Sequence, residues 1–374
     1  MTRRELLATL AAAPLMGRVA RAAPTATVSI VKCASYGSQD VLDAMSAMCD
    51  QLGGLGRIVA NKTVTVKVNL TGSPSDRVNG LLPGRTHYTH PQTAMALCYL
   101  LDRAGARRIR IVESAFQTGG RLEDFLLDSG WNLHALATMA KSIEFENTNA
   151  LGRGKQYYRV TVPGGGTIFP AWDLNHSYVE TDVFISMAKM KNHSACGVTL
   201  SMKNCFGITP ASIYGDDAGV DEPNENPGSG RLSSCHSGSR APSKSAPQEL
   251  NAASPRDPGY RMPRITAELA SARPIHISFV DGIETVSGGE GPWVGHLKPI
   301  APLTMVMGTN PVATDTVATA VMGYNPRAGK GEAPFRNCDN TLLLAESLGV
   351  GTADLKQIEV AGVPIEKARF PFEA

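Results

Sequence analysis

Short apolar strands alternate with helical segments through the first third of this chain of 374 residues. Strands are predicted where β-branched residues alternate, and helices where apolar residues recur every three to four positions. The strands and helices are predicted, in chain order, at residues 27–32, 38–50, 63–68, 91–101 and 108–112. Alternation of this kind with short connections is typical of βαβ units. The chain is therefore predicted to be an α/β protein with a mainly parallel sheet.

The same alternation continues, with one long interruption, to the end of the chain. Further strands are predicted at residues 157–162, 183–187, 275–280, 303–307 and 358–360, and further helices at 123–129, 133–140, 311–322 and 342–348. Residues 25–374 are thus predicted to form a single α/β unit, with its main sheet in one lobe or two. Residues 163–166, Pro-Gly-Gly-Gly, predict a hairpin turn.

The interruption is the segment 216–263. Asp, Asn, Pro, Gly and Ser dominate it, and its apolar residues have no regular spacing. Composition of this kind predicts a long irregular insertion that packs poorly. We expect it to lie beside the functional site.

The N-terminus combines the three features of an export signal. Arg3 and Arg4 precede a short apolar run that ends at Leu15, and residues 20–22 form an A-x-A cleavage site. This pattern predicts a twin-arginine signal peptide over residues 1–22, and the alternative is a fortuitously basic N-terminus. A membrane span needs about 20 apolar residues, so no stable membrane anchor is predicted. We expect recognition by the twin-arginine export machinery and a periplasmic or secreted protein.

Charge and cysteine content exclude several other classes of protein. The chain has 36 Lys and Arg against 34 Asp and Glu, so it has no overall basic character that would predict nucleic-acid binding. Its seven cysteines include no C-x-x-C pair. Neither an iron–sulfur cluster nor a structural zinc site is therefore predicted, and most of the cysteines are expected in the core.

Polar residues follow four of the predicted strands. Parallel sheets bind ligands beyond the carboxyl ends of their strands, so these residues predict one shared crevice. The alternative is that each is an ordinary turn former. The residues are Asn69, Glu113, Asp281 and the group Lys189, Lys191 and His193.

Three of these residues could hold a divalent cation. His193, Glu113 and Asp281 offer nitrogen and oxygen ligands, and Asp315 at the start of a helix could add a fourth. The alternative for Asp315 is helix capping, because a carboxylate is favoured in the first turn. No particular metal is indicated.

The segment 182–207 carries the most distinctive cluster of basic residues. The cations around His193 would lower its pKa, so that the neutral ring could serve as a general base or a metal ligand. Lys189, Lys191 and Lys203 could hold phosphate or carboxylate groups, or form a solvated basic rim. Lys203 is the strongest candidate because it lies in a compact turn.

These motifs together resemble the bacterial and archaeal family called domain of unknown function 362. The resemblance rests on Val66–Leu70, Thr89–Pro91, Gly105–Ser114, Lys189–His193, Lys203–Gly207, Asp281–Ile283 with Gly291–Pro292, and Asn310–Asp315. It covers nearly all of the mature chain. Some members carry a ferredoxin-like cysteine insert, which this sequence lacks.

The chain also resembles, more distantly, the nickel-dependent lactate racemases. His193, Gly197 and Lys203 match the order and spacing of their motif, in which the lysine tethers a nickel nucleotide. His90 stands where those enzymes have a substrate-holding arginine. Residues 114–118, Ser-Ala-Phe-Gln-Thr, lack the second proton-transferring histidine. The resemblance implies a shared fold more than a two-base racemisation.

We therefore expect an exported enzyme that depends on a metal or a cofactor, and that acts as an oxidoreductase or isomerase on a small anionic organic substrate. The alternative is a periplasmic protein that binds an anion or a metal without catalysis. Three residues are predicted to be catalytic: His193, Lys203 and Glu113. Five are predicted to bind a cofactor of the divalent-metal or nickel-nucleotide type: Lys189, Lys191, Lys203, Asn69 and His90.

Overall fold

The computed structural model describes residues 25–151 and 155–373. The predicted signal peptide lies outside these residues. The strands are β1 Ala26–Lys32, β2 Thr63–Lys67, β3 Arg108–Glu113, β4 Ile143–Asn147, β5 Tyr157–Thr161, β6 Ala171–Asn175, β7 Val183–Lys189, β8 Lys191–His193, β9 Gly197–Thr199, β10 Ile277–Gly282, β11 Thr285–Ser287, β12 Lys298–Ile300, β13 Thr304–Gly308 and β14 Ile358–Gly362.

The α-helices are α1 Ser38–Gln51, α2 Gly56–Val59, α3 Pro91–Arg103, α4 Leu122–Asp128, α5 Leu133–Ala137, α6 His176–Val179, α7 Ser201–Asn204, α8 Ala211–Tyr214, α9 Pro258–Ala272, α10 Pro311–Val321, α11 Thr341–Ser347 and α12 Ile365–Ala368. None of the helices in the described ranges is long and apolar enough to cross a bilayer.

Eight strands form one central sheet in the order β14-β1-β13-β10-β7-β2-β3-β4. Strand β13 runs antiparallel to both of its neighbours, β1 and β10, while every other pairing in this sheet is parallel. The prediction of an α/β fold with a mainly parallel sheet is confirmed. The remaining strands form three two-stranded sheets.

Both faces of the central sheet are buried under helices. Strands β2 and β3 place Val64, Val66, Ile109 and Ile111 in a core shared with α1, α3, α4 and α5. Phe184 of β7 faces the opposite core, which contains residues of α9 and α11. A sheet covered on both sides needs apolar residues in both directions, which explains the nearly continuous apolar character of β7.

The chain changes direction between the adjacent strands β2 and β7. From β2 it continues outward to β3 and β4, and from β7 it continues to β10 on the other side. The connections that leave these neighbouring strands therefore diverge and open a crevice at their carboxyl ends. Open α/β sheets bind ligands at such a switch point.

The segment 216–263 is irregular only in part, and it is packed against the protein only in part. Helix α9 begins at Pro258, where the side chain of Asp257 accepts a hydrogen bond from Gly259 N, so the predicted irregular region ends too late. Cys235 and Ser234, in a single π-helical turn, are fully buried. The expectation of poor packing is wrong for the part around Ser234 and Cys235, which folds over the crevice, whereas residues 220–222 and 250–253 are exposed.

The hairpin predicted at residues 163–166 is present, and its second strand, β6, begins five residues after the turn. Strand β5 pairs antiparallel with β6, which begins at Ala171. The intervening residues 167–169 are instead held by Glu268, which accepts hydrogen bonds from their backbone N–H groups.

Candidate functional site

A cavity of about 450 Å³ opens at the switch point. Its size lies in the range of ordinary small-molecule sites, roughly 300–1,000 Å³. Its walls come from the residues that follow β2, β3 and β7, from α7, from the segment 216–236 and from the loop after β11. Four basic side chains (Lys67, Lys191, Lys203 and Arg231) and three acidic ones (Glu113, Asp216 and Glu290) line it.

A buried ion pair forms one side of the cavity. The Nζ of Lys67 lies 2.6 Å from Glu113 Oε1, and it also donates to Val68 O at 2.9 Å and to Asn204 Oδ1 at 3.0 Å. Glu113 in turn accepts the backbone N–H groups of Leu70 and Ser114. An ammonium has three N–H donors, so all the donors of Lys67 are used within the protein.

Lys191 is similarly satisfied. Its Nζ donates to Asn69 Oδ1 at 3.3 Å, to His87 O at 3.0 Å and to Glu290 O at 2.9 Å. Burial lowers the pKa of this lysine to about 7. Asn69 completes the arrangement by donating from Nδ2 to Asn204 Oδ1 at 3.0 Å. Lys67 and Lys191 therefore build the floor of the cavity and have no free donor for a ligand.

Lys203 differs from these two lysines. Within the described part of the chain its ammonium makes no hydrogen bond, and the group lies 4.3 Å from the centre of the Phe206 ring. Helix α7, which carries Lys203, is fixed by Asp315, whose carboxylate accepts the N–H groups of Ser201 and Met202 at 2.9 and 2.8 Å. Burial lowers the pKa of Lys203. Its three N–H donors are available to a ligand.

His193 presents a defined tautomer to the cavity. Its Nδ1 accepts the backbone N–H of Ala195 at 3.1 Å. Burial, followed by the charge of Lys203, holds its pKa well below the usual value, so the ring is neutral. A neutral imidazole that accepts at Nδ1 carries its proton on Nε2. His193 is therefore a hydrogen-bond donor at Nε2 as it is arranged here.

Two further basic groups come from the irregular segment. Arg231 donates from Nε to Thr209 O at 2.6 Å and from Nη2 to Asn149 Oδ1 at 2.8 Å, and its Nη1 has no partner among the described residues. His236 packs edge-on against Phe206, with ring centres 5.5 Å apart. Burial, followed by the charge of Lys203, lowers the pKa of His236 to about 4, so this imidazole is also neutral.

Glu290 joins the loop after β11 to the rest of the site. Its carboxylate accepts the N–H and hydroxyl of Ser194 at 3.0 and 3.1 Å, and the Nε1–H of Trp293 at 3.1 Å. Burial alone would raise its pKa, but His193 and the Ser194 N–H lower the pKa to about 2. The carboxylate is thus charged and fully engaged.

Residues 64–320 match the family described as a domain of unknown function, DUF362. This chain belongs to that family. It is also 26% identical, over 188 residues, to a thylakoid-associated protein of Synechocystis. That match covers 50% of this chain and 52% of the relative, so the chain spans about half the relative's length.

Two solved structures are similar to this DUF362 chain. One is a Thermotoga maritima protein from a structural genomics consortium, with a TM-score of 0.36 and 11% identity over 72% of this chain and 55% of the other. The second is the lactate racemase apoprotein of Thermoanaerobacterium thermosaccharolyticum, with a TM-score of 0.37 and 12% identity over 74% and 54% of the two chains. Both likenesses are too distant for an inference about function.

The cavity of this DUF362 protein brings together five of the residues that the sequence indicated. Asn69, Glu113, Lys191, His193 and Lys203 all line it. They do so because the residues that follow β2, β3 and β7 meet at one edge of the sheet. Glu113 differs from the free carboxylate expected of a catalytic group, because both of its oxygens already accept hydrogen bonds from the protein.

Three other predicted site residues lie in a separate cluster. Lys189 Nζ donates to Asp281 Oδ2 at 3.0 Å, to Tyr36 Oη at 2.6 Å and to Gly84 O at 2.9 Å. His90 caps α3 by accepting the N–H of Gln92, and its ring stacks on Tyr36 at 3.6 Å. We remove these residues from the candidate site because Lys189 and Asp281 pair with each other, His90 caps α3, and none of the three lines the cavity.

The proposed metal ligands are not brought together. Among the described residues no group of three or more His, Cys, Asp or Glu side chains is arranged to hold a metal ion. Glu113 is paired with Lys67, Asp281 with Lys189, and Asp315 with two backbone N–H groups. Each carboxylate is occupied by a donor from the protein itself. All seven cysteines are buried and unpaired, as the sequence indicated for most of them.

The sequence interpretation missed several lining residues. Arg231 and His236 lie in the irregular segment, where no periodic pattern indicates which side chains turn inward. Lys67 lies within a predicted strand rather than after it. A lysine among β-branched residues in a buried strand nevertheless indicates a buried charge that needs a partner. Glu290 and Trp293 belong to the glycine-rich loop after β11; its glycines predict a close approach of the backbone to a ligand but do not indicate these two side chains.

Proposed function

We propose that this DUF362 protein binds a small organic anion in the cavity and catalyses a proton transfer on it, as an isomerase does. One observation carries the proposal. Four groups that can donate or exchange protons line a single cavity and, within the described residues, keep unused capacity: the ammonium of Lys203, Nη1 of Arg231, Nε2 of His193 and the ring of His236. None of these atoms is sealed away from solvent without a partner, so each is open to the cavity, where a ligand oxygen could take the place of water.

The charges around these groups favour an anion. Glu113 neutralises Lys67, and hydrogen bonds from Ser194 and Trp293 engage the carboxylate of Glu290. Lys203 has no acidic partner at ion-pair distance in the described part of the chain. A carboxylate or phosphate oxygen beside Lys203 would accept charge-assisted hydrogen bonds, which are stronger than neutral ones.

The two imidazoles suit different tasks. His193 offers an Nε2–H donor, which could stabilise negative charge that develops on a substrate oxygen. His236 is neutral and makes no hydrogen bond to the described residues, so one of its nitrogens could accept a proton. We assign the base to His236, and we give His193 and Lys203 the role of stabilising the anion. This replaces the expectation that His193 is the base.

A nickel-nucleotide cofactor would need Lys203 as its tether and a nitrogen lone pair from His193. Lys203 meets the first requirement because its ammonium is free of hydrogen bonds to the described residues. His193 does not meet the second, since Nδ1 already accepts the Ala195 N–H and Nε2 carries the proton. These residues do not fit a nickel site as arranged, and the proposed chemistry uses side chains alone.

We further propose that the protein acts outside the cytoplasm. The support is the sequence alone: the arginine pair Arg3 and Arg4, the short apolar run and the A-x-A site at residues 20–22. Their combination favours the twin-arginine route over a fortuitously basic terminus.

The binding step is tested by replacing Lys203. Acetate, DL-lactate and inorganic phosphate should be titrated into the wild type and Lys203→Met by isothermal calorimetry. Loss of one charge-assisted hydrogen bond, worth about 1.5–3 kcal/mol, should weaken binding roughly ten- to a hundredfold. Lys141→Met is the matched control, because Lys141 is exposed and outside the cavity. Equal affinity in the wild type and Lys203→Met would refute the proposal.

Catalysis is tested separately from binding. DL-Lactate and related 2-hydroxy acids should be incubated with the protein in D₂O, and deuterium at the α-carbon followed by proton NMR. We expect incorporation with the wild type, and its loss in His236→Gln with anion affinity retained. Binding without incorporation for any acid would instead favour a non-catalytic anion-binding protein.

A further inference from the structure

The cavity changes character from its floor to its mouth. Lys191 is 0% exposed and Lys67 is 2% exposed, whereas Trp293 is 52% exposed and Leu232 is 62% exposed. All four line the same cavity. The charged groups therefore lie deep, and large apolar side chains surround the entrance.

Two aromatic rings stand face to face at this entrance. The rings of Phe116 and Trp293 are inclined by only 9°, with their centres 6.5 Å apart. This separation lies near the outer limit of about 4.5–7 Å for interacting aromatic pairs. Phe116 lies in the loop after β3 and Trp293 in the loop after β11, so the two rings come from different loops around the crevice.

Trp293 is held in place rather than left free in solvent. Its Nε1 donates to Glu290, and its ring fits against Gly72 and Gly291. A Cβ at Gly291 would lie 2.3 Å from Cη2 of Trp293, and one at Gly72 would lie 3.0 Å from Cζ3. Glycine at both positions lets the ring approach the backbone. A large aromatic ring that is fixed yet half exposed is available to stack on a ligand.

We infer that the ligand is an aromatic acid, with its carboxylate toward Lys203 and its flat ring against Trp293 and Phe116. This inference rests on the proposed anion site and names the class of anion. The volume supports it, because a cavity of about 450 Å³ has the size of an ordinary small-molecule site and is larger than a two-carbon acid needs. An aliphatic acid of the same size would bury a similar apolar surface but could not stack on the two aromatic rings.

The inference is tested with three acids that share a carboxylate. Acetate carries only a methyl group on its carboxylate. 3-Phenylpropionate carries a flat aromatic ring, and 3-cyclohexylpropionate carries an apolar ring of similar size that is not flat. Dissociation constants should be measured by calorimetry for the wild type, Trp293→Leu, Trp293→Phe and the control Tyr99→Leu. Tyr99 is an aromatic residue, 40% exposed, on α3 and outside the cavity lining.

The wild type should bind 3-phenylpropionate more tightly than either other acid. Loss of a ring contact in Trp293→Leu should weaken the binding of that acid about five- to tenfold more than it weakens the binding of acetate. Trp293→Phe should restore most of the preference, and Tyr99→Leu should match the wild type. Unfolding curves of each variant will separate a lost contact from a lost fold, and Trp293→Phe gives a second test if Trp293→Leu is unstable.

Fluorescence gives a second measurement. Trp293 is the exposed one of the three tryptophans, since Trp131 and Trp172 are buried. 3-Phenylpropionate should therefore protect the emission from acrylamide quenching. Equal binding of the phenyl and cyclohexyl acids, or an unchanged preference in Trp293→Leu, would overturn the aromatic assignment while leaving the anion site intact. Failure of all three acids to bind the wild type would refute both the aromatic assignment and the proposed anion site.

Discussion

Asp315 offers the sharpest stability test of how the site is built. Its buried carboxylate accepts the N–H groups of Ser201 and Met202, at the start of the short helix that carries Lys203. Burial raises the pKa of this carboxyl from 3.8 to about 7. The side chain therefore fixes α7, and the cost of burying its charge depends on pH.

The sign of the pH dependence follows from the raised pKa. Between the unfolded pKa of 3.8 and the folded pKa of about 7, the folded protein keeps a proton that the unfolded chain has lost. The stability from this group is therefore full below pH 3.8 and is lost as the pH rises through 7. From pH 5 to pH 7 the loss of stability amounts to about 2 kcal/mol, at about 1.4 kcal/mol for each unit of pH below the folded pKa.

Asp315→Asn removes the ionisable carboxyl group and one of the two oxygens that accept hydrogen bonds from α7. At pH 5 the variant should be about 1–3 kcal/mol less stable than the wild type, because the amide nitrogen cannot accept an N–H. At pH 8 the difference should disappear or reverse. Urea unfolding of both proteins at pH 5, 6, 7 and 8 measures it, and the comparison cancels other titrating groups. A difference that is constant across this range would refute the reasoning.

Two other predictions concern the charge of the cavity and the export of the chain. Lys191 has a pKa of about 7 because of burial, and an anion nearby would raise it. Acetate should therefore bind with proton uptake at pH 8, which calorimetry in buffers of different ionisation enthalpy can detect. Its affinity should fall as the pH rises from 7 to 9. An affinity that does not change over this range would contradict the pKa assigned to Lys191. Replacing Arg3 and Arg4 by lysine should keep the protein in the cytoplasm, and undiminished periplasmic protein on cell fractionation would exclude the twin-arginine route.

The parts of the fold that the sequence predicts are those with strong local patterns. Strands β1, β2 and β3 and helices α1 and α3 begin and end close to the predicted residues. Strand β4 was missed because Ile143-Glu-Phe-Glu-Asn is short and charged, as suits an edge strand. The start of α9 differs from the prediction because Pro263 indicates a break, whereas the structure has Pro263 inside the helix and Asp257 as its cap.

The site was predictable only where its residues follow strands. Asn69, Glu113 and His193 could be found because the carboxyl ends of parallel strands meet at one edge. The same rule also selected Asp281, although Asp281 lies directly opposite Lys189 on the neighbouring strand and pairs with it. Strand ends indicate which residues are close to a crevice, but not which of them neutralise one another. Arg231 could not be found in this way because tertiary packing alone turns an irregular segment inward.

The most direct test of the anion site is a crystal structure of the mature protein grown in saturating sodium acetate. The account predicts a carboxylate in the cavity, with an oxygen within hydrogen-bond distance of Lys203 Nζ and at least one further contact from Arg231 Nη1 or His193 Nε2. A crystal that showed these three groups bonded only to water, with no acetate in the cavity, would contradict it.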